Sequence, residues 1–209
     1  MSRIRQWITL PYRRYPMLTG ILVPLLLITA LLVAPGLMQP KPAAVDPLGR
    51  TALTLAAEHG ETDRVLAMLD DGTAVDASDG CGWTALMKAA ANGHLDMLAA
   101  LLARGANIEH RDQAGYTPLL VAVVNGREAT SQALLDAGAR VNAVDDEAGW
   151  SSLTWAAKDG RLALVELLVE HGADPSHMAT DGTTPLQWAR DNGHLDVARR
   201  LEAALEPSP

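Results

Sequence analysis

Apolar and polar positions follow a pattern that begins again about every 33 residues along most of the chain. Within a unit, a run of small and apolar residues is followed by a second run whose apolar residues recur three or four positions apart. Leu95, Leu98, Leu101 and Leu102 are an example. This spacing is typical of one face of an amphipathic helix. The pattern therefore predicts two helices in each unit, joined by a turn and followed by a short polar segment.

Glycines mark the ends of the predicted helices, because glycine tolerates the left-handed backbone at which helices stop. Three series of glycines run through the chain in step, with intervals of 33 or 34 residues. The first series is Gly49, Gly82, Gly115, Gly149 and Gly182, the second is Gly60, Gly93, Gly126, Gly160 and Gly193, and the third is Gly72, Gly105, Gly138 and Gly172. Five units of helix, turn, helix and hairpin are therefore expected.

The predicted first helices have recognisable starts. A hydroxyl side chain that can cap a helix stands two positions after each glycine of the first series. These residues are Thr51, Thr84, Thr117, Ser151 and Thr184. Pro118 and Pro185 follow two of them, at the first helical position, where proline is tolerated.

The segments GWTALMKAAANGHLDMLAALLARGANI and AGYTPLLVAVVNGREATSQALLDAGARVNA resemble ankyrin repeats. The likeness covers residues 46–205, in units of about 46–78, 79–111, 112–144, 145–178 and 179–205, with a tail at 206–209. It implies an all-α solenoid of about five helix-turn-helix units with hairpin loops. The histidine of the family's T-P-L-H, which usually ties one turn to the next, is replaced in every unit. The replacements are Thr54, Met87, Leu120, Thr154 and Gln187.

The resemblance also points to a binding surface. In ankyrin repeats the residue before the capping hydroxyl lies on the concave side and usually contacts the target. That slot holds aromatic residues in the three central units, so Trp83, Tyr116 and Trp150 are predicted to form a stripe that binds a partner. The alternative is that these rings only brace one hairpin against the next.

Polar residues at the ends of the first helices are predicted to extend this binding surface. They are Asn92, Asn125, Lys158, Asp159 and Asn192. Trp155 and Trp188 lie within the first helices of the last two units. For these two residues we expect packing in the core.

An apolar segment precedes the repeats. MLTGILVPLLLITALLVAPGLM runs for 22 residues without a charge, and as a helix it would be about 33 Å long, enough to cross a bilayer. It predicts a transmembrane helix at 17–38, after a segment 1–16 and before a linker 39–45. Four arginines precede the run, so the positive-inside rule places the N-terminus in the cytoplasm and the repeats outside it. The alternatives are a cleaved signal followed by a soluble periplasmic domain, and a buried core helix.

Charge excludes one class of partner. All 25 acidic residues follow residue 45, and five of the 17 basic ones precede it, so 12 basic residues remain and residues 46–209 carry a formal net charge of −13. Such a domain is repelled by phosphate backbones, so we expect no nucleic acid ligand. The same charge favours a basic protein partner.

Signatures of catalysis are missing from the sequence. There is no nucleophile elbow, phosphate-binding loop or zinc-protease motif, and histidines are not spaced as metal ligands. We therefore expect no enzyme activity, no cofactor, no metal site and no small-molecule substrate. The one cysteine, Cys81, has no second thiol with which to form an internal disulfide.

The sequence thus predicts a non-catalytic scaffold that binds a partner protein at the membrane. The ratio of 14 arginines to three lysines favours a bacterial source, and hence a single-pass inner-membrane protein with a periplasmic ankyrin domain. Small exported bacterial ankyrin proteins are similar to this arrangement. Two alternatives remain open, a promiscuous holdase of the envelope stress type and a cytoplasmic regulator with reversed topology.

Overall fold

A computed structural model describes residues 45–46 and 49–206 of the chain. The predicted segment 1–16, the predicted transmembrane helix 17–38 and nearly all of the linker lie outside this part, as do residues 207–209 of the tail. Within the described ranges, none of the helices has both the length and the apolar character needed to cross a bilayer.

Ten helices are present in the described residues, and one pair falls within each predicted unit. The first helices of the units are α1 (Ala52–Glu58), α3 (Ala85–Asn92), α5 (Pro118–Val124), α7 (Ser152–Lys158) and α9 (Pro185–Asp191). The second helices are α2 (Thr62–Asp70), α4 (Leu95–Ala103), α6 (Glu128–Asp136), α8 (Leu162–Glu170) and α10 (Leu195–Leu205). β pairing in the described part is limited to two isolated antiparallel bridges, Val45 with Thr51 and Val144 with Ser151.

Each first helix starts at its predicted hydroxyl residue. In all five units the side-chain oxygen of the capping residue accepts the backbone N–H three positions later. A cap of this kind stabilises a helix by about 1 kcal/mol. The glycines of all three series have positive φ angles. Gly93, for example, ends α3 in the left-handed region with a φ of 79°, so the turn signals are confirmed.

The core lies between the first and second helices and runs through all five units. Each first helix packs against the first helices of the neighbouring units. Alanines such as Ala56, Ala89 and Ala156 are fully buried at these contacts, because a methyl side chain lets two helices approach closely. Leu98 and Val165 supply buried apolar surface from the second helices.

Hydrogen bonds join successive units although the family's histidine is replaced. Backbone bonds connect neighbouring hairpins at all four junctions, beginning with Gly80 N–H to the Gly49 carbonyl at 2.7 Å. The other three donors are Gln113, Asp146 and Thr180. Within the first and fourth units, Thr54 and Thr154 bond to the capping hydroxyl, at 3.0 Å and 3.1 Å.

A second set of bonds comes from the residues that follow the last four glycines of the second series. Arg127 Nε donates to the Ala91 carbonyl at 2.8 Å, and Arg161 Nη1 donates to the Val123 carbonyl at 3.3 Å. His94 and His194 contact the equivalent carbonyls of Glu58 and Lys158 through Nε2, at 3.3 Å and 3.1 Å. The loss of the T-P-L-H histidine therefore does not leave the units without ties.

Candidate protein-binding groove

Trp83 lies half-buried where the second hairpin meets α3. Its indole Nε1–H donates to Asp112 Oδ2, which belongs to the next unit, at 2.8 Å. The ring packs against a small apolar cluster of Met87, Ala91 and Val121, and Tyr116 packs against the same cluster. The first two predicted aromatic residues therefore lie on one surface and share their apolar support.

Tyr116 continues this surface into the fourth unit. Its ring centroid is 6.2 Å from that of Trp155, a distance at which aromatic rings interact. Burial raises the pKa of the Tyr116 hydroxyl, and the nearby carboxylates of Asp145, Asp112 and Glu147 raise it further. Three carboxylates therefore act on this part of the surface.

Three tryptophans complete the surface. Trp150 contacts Trp155 and Trp188 in edge-on arrangements, with centroid distances of 4.7 Å and 4.9 Å. Trp155 Nε1–H donates to Asp145 Oδ2 at 3.3 Å, and Trp188 Nε1–H donates to Thr183 Oγ1 at 3.0 Å. The indole nitrogen of Trp150 is buried, and no acceptor for it lies among the described residues.

These five rings form one continuous set, which we call the aromatic row. In order it consists of Trp83, Tyr116, Trp155, Trp150 and Trp188. Trp155 packs against the main core as expected, but it and Trp188 are only half-buried and lie beside the predicted stripe. A signal was present in the sequence: the equivalent residue in the second unit is Lys88, and a core position rarely holds a lysine.

Carboxylates lie directly under the aromatic row. An aspartate begins each of the first four hairpins: Asp46, Asp79, Asp112 and Asp145. Oδ1 of Asp79 accepts the backbone N–H of Trp83 at 2.9 Å, and Oδ1 of Asp112 accepts that of Tyr116 at 2.8 Å. The second oxygens of Asp79, Asp112 and Asp145 are directed to a side chain of the row or to a lysine. That of Asp46 accepts from Arg50. In the fifth unit this position is Ala179.

Sequence reasoning did not include these aspartates in the site. Their signal is positional, because the aspartate stands five residues before the capping hydroxyl in the first three units and six in the fourth. The extra residue in the fourth unit, within Asp145–Glu147, obscures that spacing.

Two lysines cover rings of the row. Lys88 Nζ lies 4.8 Å from the Trp83 ring centroid and is paired with Glu58 at 3.3 Å and Asp79 at 3.5 Å. Lys158 Nζ lies 5.3 Å from the Trp155 centroid and 5.7 Å from that of Trp150, and its partner is Asp159 at 3.6 Å. These distances fall within the range of cation–π interactions, about 6 Å.

A family model for ankyrin repeats in three copies matches residues 26–112, 68–145 and 133–206. The chain belongs to the ankyrin repeat family. The first match begins inside the apolar segment that was predicted to span the membrane. Ankyrin repeats indicate a protein–protein interaction domain.

Three relatives are similar to a short part of the chain. The chain is 42% identical over 62 residues to human ARF GTPase-activating protein GIT1, which is 30% of this chain and 8% of that protein. It is 40% identical over 63 residues to ankyrin repeat and SAM domain-containing protein 6 of Danio rerio, covering 29% and 8%. With the inactive serine/threonine-protein kinase TEX14 of Mus musculus the identity is 39% over 64 residues, covering 31% and 4%. The chain thus spans less than a tenth of each relative.

Four of the five predicted polar contacts of the ankyrin domain are exposed, and Lys158 is half-buried. The amide nitrogens of Asn92, Asn125 and Asn192 donate to main-chain carbonyls, those of Lys88, Val121 and Lys158, at 2.8–3.0 Å. Asp159 is paired with Lys158 and with Arg161, the latter at 3.2 Å. The amides therefore support the ends of the first helices, and their role in binding stays a prediction.

Cys81 is exposed at the second hairpin.

Proposed function

We propose that this ankyrin domain is a non-catalytic scaffold that binds a partner protein through the aromatic row. The observation that carries the proposal is that five aromatic rings from four successive units adjoin one another while each stays only half-buried. Tryptophan and tyrosine are the side chains that most often anchor protein interfaces. Rings on the predicted concave side that are held by fixed neighbours would lose little conformational entropy on binding.

Binding and bracing do not exclude each other in this arrangement. The bonds from Trp83, Trp155 and Trp188 to Asp112, Asp145 and Thr183 hold the rings against the hairpins. A ring that served only as a brace would be better covered, because each exposed part of an indole leaves apolar surface in water. The partly exposed faces are therefore the part of each ring that we assign to the partner.

The proposal is tested by affinity capture from detergent-solubilised membranes, followed by mass spectrometry. The test variant combines Trp83→Ala, Tyr116→Ala and Trp150→Ala, and Trp188→Ala is a milder second variant. The control combines Leu95→Ala, Met178→Ala and Leu195→Ala, which remove exposed apolar side chains outside the row. Circular dichroism checks that the helical content of every variant is retained.

We expect one saturable partner that the wild type and the control retain and the row variants lose. Equal capture by the triple variant would contradict the proposed surface. Capture of many unrelated proteins, together with suppression of aggregation, would instead indicate the holdase alternative.

We also propose that the N-terminal apolar segment anchors the domain in the inner membrane with the repeats in the periplasm. The support is the uncharged run of 22 residues and the four arginines that precede it. Alkaline phosphatase fused to the C-terminus should be active, since that reporter works only after export. An inactive fusion would contradict this topology. Retention of the intact chain in carbonate-washed membranes would separate an anchor from a cleaved signal.

A further inference from the structure

We infer that the corner between the rings of Trp150 and Trp155 is a binding site for an arginine side chain of a basic partner segment, and that Lys158 occupies this site in the free protein. The inference rests on the proposed function, because it specifies what the aromatic row binds. It commits the row to one kind of occupant, a guanidinium group.

The geometry of the two rings suits a cation. Their planes meet at 67°, with centroids 4.7 Å apart, so the two rings form a corner. Lys158 Nζ lies within 6 Å of both centroids, at 5.3 Å and 5.7 Å. A cation near both rings is attracted by both quadrupoles. The chain's own lysine thus marks where a positive charge is held.

The carboxylates around the corner favour a cation over an anion as the occupant. Asp145, only 3% exposed, accepts the indole N–H of Trp155. Asp159 lies 3.6 Å from Lys158 Nζ. The carboxylates of Asp145, Asp112 and Glu147 also raise the pKa of Tyr116. An acidic side chain would be repelled by this set, whereas a basic one would add to the attraction of the rings.

Lys158 is held less firmly than the other lysine of the row. The side chain of Lys88 is 15% exposed and pairs with two carboxylates, so it is held in place over its ring. The side chain of Lys158 is 33% exposed, and its one paired carboxylate, Asp159, is also exposed to solvent and shared with Arg161. An exposed pair of this type contributes little stability. Lys158 can therefore leave the corner on its flexible stem.

Arginine is the cation best suited to replace it. A planar guanidinium can stack on one indole face and, at the same time, donate two hydrogen bonds to a carboxylate such as Asp159. The ammonium of lysine is a compact, strongly hydrated charge that does neither. An arginine from the partner therefore gains contacts that Lys158 does not make.

The inference is tested by NMR titration of the indole N–H signals of the full chain in detergent micelles at low salt. The probes are the peptide acetyl-Gly-Arg-Gly-Arg-Gly-amide and its lysine and glutamate counterparts. We expect the arginine peptide to bind most tightly, to shift the Trp150 and Trp155 signals, and to lose affinity as salt screens the charges. Failure of the arginine peptide to shift these signals, or tighter binding of the glutamate peptide, would overturn the inference.

Lys158→Met is the decisive variant, because it keeps the aliphatic part of the side chain and removes the competing charge. The direction in which it changes the affinity for the arginine peptide tests the role of Lys158. Release of one exposed cation–π contact should tighten binding of the arginine peptide about two- to fivefold. Arg64→Met removes one positive charge from an exposed position of α2; it is the matched control and should leave this affinity unchanged. If Lys158 were instead a contact for the partner, Lys158→Met would weaken binding, and that result or no change would refute the role assigned to Lys158.

The two proposals fail in different ways. If the row variants lose the captured partner while the arginine peptide does not bind, the arginine site is wrong and the proposed function stands. If the triple variant still captures the partner, the row itself is not the interface. Both experiments use variants whose helical content is checked beforehand.

Discussion

Trp83 donates its indole N–H to the carboxylate of Asp112 at 2.8 Å, so a ring of the second unit is fixed by the hairpin of the third. The other oxygen of Asp112 accepts the backbone N–H groups of Ala114 and Tyr116, at 2.9 Å and 2.8 Å. One carboxylate therefore sets the conformation of its own hairpin and the orientation of a neighbouring ring. The surface of the domain and the coupling between its units depend on the same residue.

Replacement of Asp112 should therefore destabilise the domain markedly. Asp112→Ala removes an acceptor from two backbone donors and from one indole, and we expect the free energy of unfolding to fall by about 2–3 kcal/mol. Trp83→Phe removes only the indole donor and should cost less. Urea unfolding followed by circular dichroism measures both. An unchanged midpoint for Asp112→Ala would contradict the role of this carboxylate.

Addition of the missing aspartate should stabilise the last junction. Trp150 has a buried indole N–H with no acceptor in the described part of the chain, and Ala179 stands where the other hairpins have aspartate. Ala179→Asp should supply that acceptor and raise the free energy of unfolding by about 1 kcal/mol. In a Trp150→Phe background the gain should shrink, because the donor is gone. An equal gain in the free energy of unfolding in both backgrounds would show that the new carboxylate does not act through the Trp150 indole.

The adjacent serines at the start of α7 should respond in opposite directions. Ser151 caps the helix through Oγ, which accepts the Thr154 N–H at 3.2 Å, so Ser151→Ala should cost about 1 kcal/mol. Ser152 Oγ is buried, and no partner for it is found among the described residues. Ser152→Ala should therefore stabilise the domain by up to about 1 kcal/mol. Thermal unfolding of the two variants provides the comparison, and a shift of both in the same direction would refute this assignment.

Tyr116 should ionise at a higher pH than a free tyrosine, whose pKa is about 10. Burial and the surrounding carboxylates raise its pKa, so the folded state holds this proton more tightly than the unfolded state. Its contribution to stability is therefore complete below the ordinary pKa and is lost as pH rises through the raised value. The difference between alkaline absorbance titrations of the wild type and Tyr116→Phe isolates this group. A difference curve centred at or below the ordinary value would contradict the prediction.

The helical framework was predictable because its signals are local. The capping hydroxyls, the glycines with positive φ and the spacing of leucines each act within one unit, and each recurs five times or nearly so. The aromatic slot of Trp83, Tyr116 and Trp150 came from family resemblance combined with that register. Because these features recur in each unit, they could be predicted without knowing how the units pack against one another.

The rest of the site depends on contacts between units, which a pattern within one unit does not encode. Trp155 and Trp188 were expected in the core because their helix positions hold leucine and valine in other units. They are half-buried because the hairpin aromatics cover only part of each ring. The acceptor of an indole N–H is likewise supplied by the following unit. The role of Asp112 as an acceptor, and the lack of one at Ala179, therefore follow only from the stacked units. The bonds from Arg127 and Arg161 to carbonyls of the preceding unit likewise depend on the stacking.

The edge-on contacts of Trp150 with Trp155 and Trp188 give the molecule an intrinsic optical reporter. Four of its five tryptophans lie in the aromatic row, and three of these are close enough for their electronic transitions to couple. Exciton bands in the near-ultraviolet circular dichroism spectrum would then change sign or intensity when a ligand alters the angle between these indoles. The fourth and fifth units can therefore be monitored without a label, at the place where recognition is proposed.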